Sequence, residues 1–270
     1  MKIFLLAAVG YIAVILLAYV LQNKMLYFPA KATLNQLVRQ TAAISMSLWP
    51  GEDAGYRGLM KSPLKDHCPG TIVVFHGNAG SAVDRSYYMR ALHPLGYRVF
   101  LAEYPGYGAR AGGPGEKAIV KDALETLAVL HETFGEPLYI WGESLGCGVA
   151  AACVADRRIP VAGVILLTPW DTLANVAHSA YPFLPTGLLL KDRYDNIRNL
   201  KQYPGPTAII KAGRDEVIKN RFTDNLFAQI PGQKKLWTFD NAGHNSWPSD
   251  PSQPWWREVM TFVGGCKQLR

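Results

Sequence analysis

The segment that most limits what this chain can fold into is residues 139–146, Tyr-Ile-Trp-Gly-Glu-Ser-Leu-Gly. An apolar run leads into its Gly-x-Ser-x-Gly pattern, and a run of small residues follows. This order predicts a strand, a sharp turn and a helix, with Ser144 held at the turn in a strained backbone conformation. Gly142 and Gly146 have no Cβ, so the strand and the helix can approach closely. Because so short a pattern also occurs by chance, the rest of the chain has to support it.

Length and composition indicate one folded domain with a substantial core. The chain has 270 residues, of which 49% are apolar and 18% are charged, and these values exclude a disordered chain. Its net charge is +7, with the lysines and arginines scattered along the sequence. Scattered charge predicts no nucleic-acid partner, although affinity for anionic lipid is compatible with it.

The cysteines indicate no metal site. Cys147 and Cys153 are predicted to lie on nearly opposite faces of one helix and therefore not to pair, whereas pairing of Cys68 with Cys266 is left open. No Cys/His spacing resembles a zinc site, so no metal and no cofactor are expected.

Residues 3–21 form an uncharged apolar run that is long enough to cross a bilayer as a helix. A cleaved signal peptide would have a shorter apolar region that ends in small residues, and residues 18–21 offer no such site. We therefore predict a single-pass membrane anchor with its flank at residues 1–28. The side of the membrane is left open, because the positive charges flanking the run nearly balance.

From residue 71 onward, apolar runs typical of buried strands alternate with helical periodicity, which predicts an α/β fold with a mostly parallel, doubly wound sheet. Strands are predicted at 43–49, 55–60, 71–75, 98–103, 137–141, 161–167, 207–211 and 235–239, and helices at 81–92, 116–134, 217–230 and 255–263. These elements make residues 29–270 one domain.

A long insertion at about 169–200 interrupts this alternation, with short helices predicted at 171–174 and 185–190. Insertions of this length in compact domains are often lids or binding loops. Its apolar side chains either pack the insertion onto the domain or line an acyl pocket. The candidates for such a pocket are Trp170, Tyr181, Phe183 and Leu184.

An activated serine requires a base, and the base requires an acid that orients it. After Ser144 the chain contains two histidines, His178 in the insertion and His244 in a glycine-bearing loop that follows a predicted strand. That loop belongs at the carboxyl edge of the sheet, toward which Ser144 also points. We therefore predict His244 as the base.

The acid should also follow a strand, and two neighbouring carboxylates do so after Gly213, namely Asp215 and Glu216. Either can serve, and Asp215 is favoured because it lies nearer the tight glycine turn. A helix-capping role is the alternative for Asp215.

Acyl transfer also requires donors for a developing oxyanion. One is the backbone N–H of Leu145, which follows the nucleophile, and the second comes from the loop after an earlier strand. That loop is His-Gly-Asn-Ala-Gly at 76–80, and we assign its donor to Asn78, with Ala79 as the alternative. His76 is expected to support the loop.

A dinucleotide-binding motif at 106–111 is rejected, because glycines and a proline follow it instead of a helix.

The ordered set of motifs resembles the α/β-hydrolase superfamily, and more narrowly its membrane-anchored bud-emergence type branch, which includes protein depalmitoylases. The motifs lie at 76–80, 103–108, 141–146, 168–171, 212–215 and 242–245, and the resemblance extends from about residue 27 to the C-terminus. It implies the α/β-hydrolase fold and a triad of Ser144, Asp215 and His244. Glu103 is a departure, since aspartate is expected there in many relatives.

The resulting hypothesis is a membrane-anchored serine hydrolase. It would cleave carboxylic ester or thioester bonds, including those of lipids or lipidated molecules, through an acyl-enzyme on Ser144. Two alternatives are left open, an acyltransferase that uses the same triad and a non-catalytic, membrane-tethered binding module with this fold.

Overall fold

The computed structural model describes residues 1–53, 55–63, 68–135 and 137–265. Cys266, and with it the question of a Cys68–Cys266 pair, lies outside the described residues. The strands, in chain order, are β1 Phe28–Pro29, β2 Ser47–Trp49, β3 Gly58–Lys61, β4 Thr71–Phe75, β5 Ala79–Gly80, β6 Arg98–Ala102, β7 Leu138–Glu143, β8 Gly163–Leu167, β9 Thr207–Ala212 and β10 Lys234–Phe239.

Within these described ranges, eight strands form one sheet in the order β10-β9-β8-β7-β4-β6-β3-β2. Pairing is parallel from β10 through β6, and β3 runs antiparallel to both of its neighbours. The prediction of a mostly parallel sheet is confirmed. The short strands β1 and β5 pair in parallel outside this sheet.

Helices cover both faces of the sheet. They are α1 Lys2–Leu26, α2 Leu34–Ala43, α3 Ser86–Leu92, α4 Glu116–Phe134, α5 Leu145–Asp156, α6 Leu173–Ala180, α7 Thr186–Leu189, α8 Asn196–Leu200, α9 Asn220–Gln229 and α10 Trp255–Gly264, with 3₁₀ turns at Ala82–Arg85 and His93–Leu95.

Successive side chains of each buried strand point to opposite faces, so the sheet separates two apolar layers. Val73 and Phe75 of β4 pack in the layer of α4 and α5, whereas Ile72 and Val74 pack in the layer of α3 and α10. All five residues of β4 are buried, as expected for a strand covered on both faces. This doubly wound arrangement brings the carboxyl ends of the parallel strands to one edge.

Four local features differ from the prediction. A helix, α2, lies before β2, where no helix is predicted, and β2 is shorter than the strand predicted at 43–49. The signal for α2 was in the sequence: Thr33 accepts the N–H of Gln36 and the Gln36 side chain accepts the N–H of Thr33, a capping box. The predicted helix at 81–92 is divided into a 3₁₀ turn and α3, and α9 begins later than expected.

Two features occupy the carboxyl edge beside the sheet. The segment between β8 and β9 contains α6, α7 and α8 and is called the cap below. α1 is long and apolar enough to serve as a membrane anchor or as a signal sequence, and none of its residues is buried.

Cys147 and Cys153 are free thiols in α5, and burial raises the pKa of both.

Candidate active site

Ser144 stands between the end of β7 and the start of α5 with φ of 50° and ψ of −113°. Positive φ at a residue other than glycine is strained and persists only when the surroundings hold it. The Ser144 N–H donates to the carbonyl of Leu167 at 2.9 Å, and its own carbonyl accepts the N–H of Cys147 at 2.9 Å. These contacts fix the turn, and the serine side chain stays partly accessible at the carboxyl edge.

Glycine is required at both flanks of this turn. A Cβ on Gly142 would lie 2.5 Å from the carbonyl oxygen of Gly146, and a Cβ on Gly146 would lie 1.9 Å from that of Phe75. Both distances are shorter than any non-bonded carbon–oxygen contact. The two glycines therefore permit the close approach of strand, turn and helix that the sequence predicted.

His244 lies within hydrogen-bonding distance of Ser144. Its Nε2 is 2.9 Å from Ser144 Oγ, although the two residues are 100 positions apart in the chain. The imidazole is only 7% exposed, and its loop follows β10 at the same edge of the sheet. A neutral imidazole in this position can accept the serine proton through Nε2.

Asp215 completes the relay. Its Oδ2 and Oδ1 lie 2.8 and 3.0 Å from His244 Nδ1, and its side chain is 3% exposed. The same Oδ1 also accepts the N–H groups of Val217 and Ile218, at 2.9 and 2.7 Å. Asp215 does not cap α9, whose N-cap is Lys219. Its Oδ1 stabilises the turn before that helix while the carboxylate faces the imidazole.

Glu216, the alternative acid, binds the backbone of the histidine and not its ring. Its Oε2 accepts the N–H of His244 at 3.0 Å. This hydrogen bond lowers the pKa of the Glu216 carboxyl. Glu216 thus helps to hold the histidine loop, while the ring faces Asp215.

The loop at 76–80 lies against the serine. A Cβ on Gly77 would be 3.7 Å from Ser144 Cβ. The Asn78 side chain donates to the carbonyl of Leu26 at 2.8 Å, and the carbonyl of Asn78 accepts from the hydroxyl of Tyr107 at 2.7 Å. These contacts hold the side chain of Asn78 and the peptide that follows it. The peptide that carries the Asn78 N–H contains the carbonyl of Gly77, which lies 2.7 Å from His76 Nδ1. The Leu145 N–H begins α5, where the first N–H groups have no acceptor within the helix.

His76 and the 103–108 segment support this loop. His76 is 1% exposed, and its ring stacks on Tyr104 with a centroid distance of 4.1 Å. The hydroxyl of Tyr104 donates to the carbonyl of His76 at 2.7 Å. Glu103 accepts the N–H of Ala82. The segment 106–111, which was considered as a dinucleotide-binding motif, is part of this support. No helix opens directly after it, because α4 begins only at Glu116.

A charged cluster that the sequence did not predict stabilises the turn at Ser144. Glu143, just before the nucleophile, accepts from Arg85 Nε at 2.9 Å and from the hydroxyls of Tyr87 and Tyr88 at 2.6 and 2.9 Å. Arg85 also donates to the carbonyl of Ala79 at 3.2 Å. One guanidinium therefore links the serine turn to the 76–80 loop. The Arg85–Tyr88 segment follows Ser81 and Asp84, which form a capping box, but nothing in the sequence pairs it with Glu143.

The protonation states of this cluster follow from burial and charge. Burial by itself lowers the pKa of the Arg85 guanidinium, but the Glu143 carboxylate outweighs it and holds that pKa above its usual value. Burial raises the pKa of the Tyr87 and Tyr88 phenols, and the negative charge of Glu143 raises it further. The arginine is therefore charged, and both tyrosines are protonated donors.

Replacing Arg85 with alanine is expected to lower the free energy of unfolding by about 2–3 kcal/mol, because it leaves the carboxylate of Glu143 buried without its cation. Adding Glu143→Gln removes that charge while keeping an acceptor for the two tyrosines. The double variant should therefore be more stable than Arg85→Ala alone. Chemical denaturation of the detergent-solubilised full chain measures both values, and a double variant no more stable than the single one would contradict the charge-pairing account.

The four predicted pocket residues do not lie together. Trp170 is 2% exposed and packs edge-on against Tyr194, so it belongs to the core. Tyr181 and Leu184 line an apolar cavity between α1 and the cap. Phe183 is 61% exposed and faces outward from the cap.

Comparison with known proteins agrees with this fold. A sequence model described as serine aminopeptidase, S33, matches residues 66–194, a range that includes Ser144 and ends before Asp215 and His244. An uncharacterised protein of Mycobacterium tuberculosis (strain H37Rv) is 33% identical over 177 residues, which cover 64% of this chain and 62% of that protein.

Lysophosphatidylserine lipases are also similar. The lipase ABHD12 of Danio rerio is 31% identical over 184 residues, covering 61% of this chain and 48% of the lipase. That of Xenopus tropicalis is 36% identical over 179 residues, covering 58% and 45%. The chain thus spans less than two thirds of the length of these curated relatives.

Two solved structures show the same fold. An esterase of Pyrococcus furiosus superposes with a TM-score of 0.61 at 16% identity, covering 73% of this chain and 81% of the esterase. A monoacylglycerol lipase of Paleococcus ferrophilus superposes with a TM-score of 0.58 at 18% identity, covering 77% and 98%. These superpositions show that the chain has the α/β-hydrolase fold.

Proposed function

We propose that this protein is a membrane-anchored serine hydrolase that cleaves carboxylic ester or thioester bonds. The observation that carries the proposal is the relay from Asp215 through His244 to Ser144, with contacts of 2.8 Å and 2.9 Å. A serine held at positive φ beside a buried, oriented imidazole is suited to nucleophilic attack on an acyl carbon.

In the proposed reaction, His244 Nε2 accepts the hydroxyl proton as Ser144 Oγ bonds to the substrate carbonyl carbon. The carbonyl oxygen becomes an oxyanion that accepts from the N–H groups of Leu145 and Asn78. His244 then gives its proton to the departing alcohol or thiol, leaving an acyl ester on Ser144. Water repeats the sequence with His244 as base, and the carboxylic acid leaves. Asp215 keeps the proton of the resting imidazole on Nδ1.

The substrate class is proposed from two sources. The similar proteins include lipases and an esterase, which supports an oxygen ester and, more narrowly, a lipid ester. The resemblance to the bud-emergence branch adds thioesters as a second leaving-group class. The apolar helix α1 supports attachment to a membrane, where such substrates reside.

Labelling by a fluorophosphonate, which reacts with activated serines, tests the proposal. The wild-type full chain should be labelled and should hydrolyse p-nitrophenyl butyrate, whereas Ser144→Ala should show neither. Ser62→Ala is the matched control, because Ser62 is an exposed serine outside the candidate site, and it should leave labelling intact. Labelling that persists in Ser144→Ala, or its absence from the wild type, would overturn the assignment.

A further inference from the structure

One face of α1 rests on the cap. The hydroxyl of Tyr11 donates to the carbonyl of Phe183 at 2.8 Å. Further along, the side chain of Gln22 donates to the carbonyl of Leu189 at 3.2 Å and accepts the N–H of Lys191 at 2.8 Å. Tyr11 and Gln22 are three helical turns apart and lie on the same face. α1 thus contacts the cap through a few side chains between Tyr11 and its C-terminal end, and none of its residues is fully buried.

The end of α1 is fixed to the same region. Just after the helix, the hydroxyl of Tyr27 donates to Asp192 Oδ2 at 2.6 Å. Burial raises the pKa of this phenol, so the phenol keeps its proton and donates it. The hydrogen bonds of Tyr11, Gln22 and Tyr27 thus connect α1 and the residue after it to the cap and the segment that follows α7.

An apolar cavity of about 180 Å³ lies between α1 and the cap. α1 contributes one wall and the cap contributes the other. The aliphatic and aromatic side chains that form most of the lining include Ala18, Leu26, Leu173, Tyr181, Leu184 and Leu189. Empty space enclosed by such side chains accommodates hydrocarbon more readily than water, because it offers few hydrogen-bonding partners.

The cavity lies beside the part of α1 that is long and apolar enough to cross a bilayer. Tyr11 lies about 22 Å before Leu26 along the axis, at about 1.5 Å per residue, and a bilayer core is about 30 Å thick. A helix that enters the bilayer from its Leu26 end therefore carries its contact with Phe183 into the hydrocarbon. Phe183 and Leu188 are 61% and 85% exposed, as suits side chains that contact lipid.

The exposed apolar side chains elsewhere lie at the same edge. Among the described residues outside α1 and the N-terminal Met1, the large exposed apolar side chains are Phe28, Tyr181, Phe183, Leu188 and Val217. Phe28 follows α1 directly, Val217 follows the acid Asp215, and the other three belong to the cap.

One wall of the cavity is hydrogen-bonded to the loop beside the candidate nucleophile. Leu26 lines the cavity, and its carbonyl accepts from the side chain of Asn78 at 2.8 Å. The next residues extend this link, because β1 pairs with β5 and the N–H of Phe28 donates to the carbonyl of Asn78 at 2.9 Å. Gly77, one residue earlier, packs against Ser144. The wall of the cavity and the loop beside the nucleophile are therefore joined.

We propose that the cavity binds the hydrocarbon chain of a membrane-lipid ester, with α1 as one of its walls. The acyl chain enters from the bilayer between α1 and the cap and presents its carbonyl carbon to Ser144. This inference rests on the proposed function and adds that the membrane helix is part of the substrate site. Tyr181 and Leu184 line this site, whereas Phe183 contacts the bilayer and Trp170 packs in the core.

Filling the cavity tests the proposal in the full chain. Ala18→Trp should lower kcat/KM for p-nitrophenyl laurate by about 10- to 100-fold, since lost apolar contacts of this size carry such factors. The butyrate ester and the fluorophosphonate reaction should stay within about twofold, because they need little of the cavity. Ala13→Trp is the matched control, since Ala13 lies on the exposed face of α1, and it should change neither ester.

A substitution in the opposite wall of the cavity distinguishes filling of the cavity from a structural defect in α1. Ala177 of α6 also lines the cavity, and Ala177→Trp should reproduce the selective loss of laurate hydrolysis. Unchanged laurate hydrolysis in both variants, or an equal fall for laurate and butyrate, would overturn the acyl-site proposal while leaving the triad assignment intact. Loss of all activity and labelling in the wild type would instead overturn the proposed function on which it rests.

Photo-crosslinking tests the same site without catalysis. The Ser144→Ala full chain is reconstituted in vesicles of phosphatidylcholine that carry a diazirine in one acyl chain, and the labelled peptides are identified by mass spectrometry. Label is expected at the cavity-lining residues Leu173, Val176 and Ala177 of α6, reduced by Ala18→Trp and unaffected by Ala13→Trp. Label at Phe183 and Leu188, which are exposed to the bilayer, should be the same in all variants. Label confined to the exposed face of α1 would show that lipid does not enter the cavity.

Discussion

Asp215→Asn is expected to lower kcat for ester hydrolysis by about 10⁴-fold. The amide oxygen can still accept the N–H groups of Val217 and Ile218, as Asp215 Oδ1 does, so the turn should persist. The amide NH₂ would then face His244 Nδ1 and force the imidazole proton onto Nε2. An imidazole in that state cannot accept the proton of Ser144. Steady-state kinetics on p-nitrophenyl butyrate, with unfolding measured in parallel, provides the test.

Glu216→Gln is the matched control for this experiment. Glu216 contacts the backbone N–H of His244 and not its ring, and a glutamine oxygen can accept the same hydrogen bond. The expected kcat is within about threefold of wild type, a difference of less than 1 kcal/mol in the activation barrier. If Glu216→Gln had the larger effect, the assignment of Asp215 as the orienting acid would be wrong.

Gly146→Ala is expected to destabilise the fold by about 4 kcal/mol or more, an effect reached only by severe core or backbone conflicts. The new methyl group would lie 1.9 Å from the carbonyl oxygen of Phe75, which is backbone at the end of the central strand β4. Relief requires α5 to move away from β4, and that movement displaces both Ser144 and the loop that begins at His76. Chemical denaturation and the rate of fluorophosphonate labelling measure the two consequences.

Gly187→Ala makes the same chemical change where there is space. No atom lies within 4 Å of a Cβ at Gly187, which is in the short helix α7 of the cap. Alanine is also the better helix former, so the free energy of unfolding should be equal to or slightly above that of the wild type. A loss in Gly187→Ala comparable with that in Gly146→Ala would show that steric conflict at the serine turn is not the cause.

Local chemistry explains why much of the candidate site was readable from sequence. The Gly-x-Ser-x-Gly pattern is compatible with few backbone conformations. The strand before it and the helix after it are its direct neighbours in the sequence. The histidine and the acid each follow a strand of a parallel sheet, and parallel strands bring their carboxyl ends to one edge. Ser144 and His244 could therefore be paired across 100 positions of chain, and the α/β-hydrolase fold could be predicted from the ordered motifs.

Elements whose partners are distant in sequence were not readable. Arg85 and Glu143 meet only because the 3₁₀ turn Ala82–Arg85 lies beside the end of β7, and no local pattern encodes that contact. Asp215 and Glu216 were nearly equivalent in the sequence, and the direction of each side chain from the turn decided which of them faces the imidazole. Trp170 looked like the other apolar residues of the insertion until packing against Tyr194 placed it in the core.

The apolar helix at the N-terminus shows the same division. By itself the sequence determined that residues 3–21 prefer hydrocarbon to water, because an uncharged run of that length has no polar face. Only the tertiary structure decided that one face of this helix rests on the cap and encloses a cavity with it. That arrangement depends on Tyr11, Gln22 and Tyr27 finding partners more than 160 residues away, and such distant pairing is determined by the packing of the whole domain.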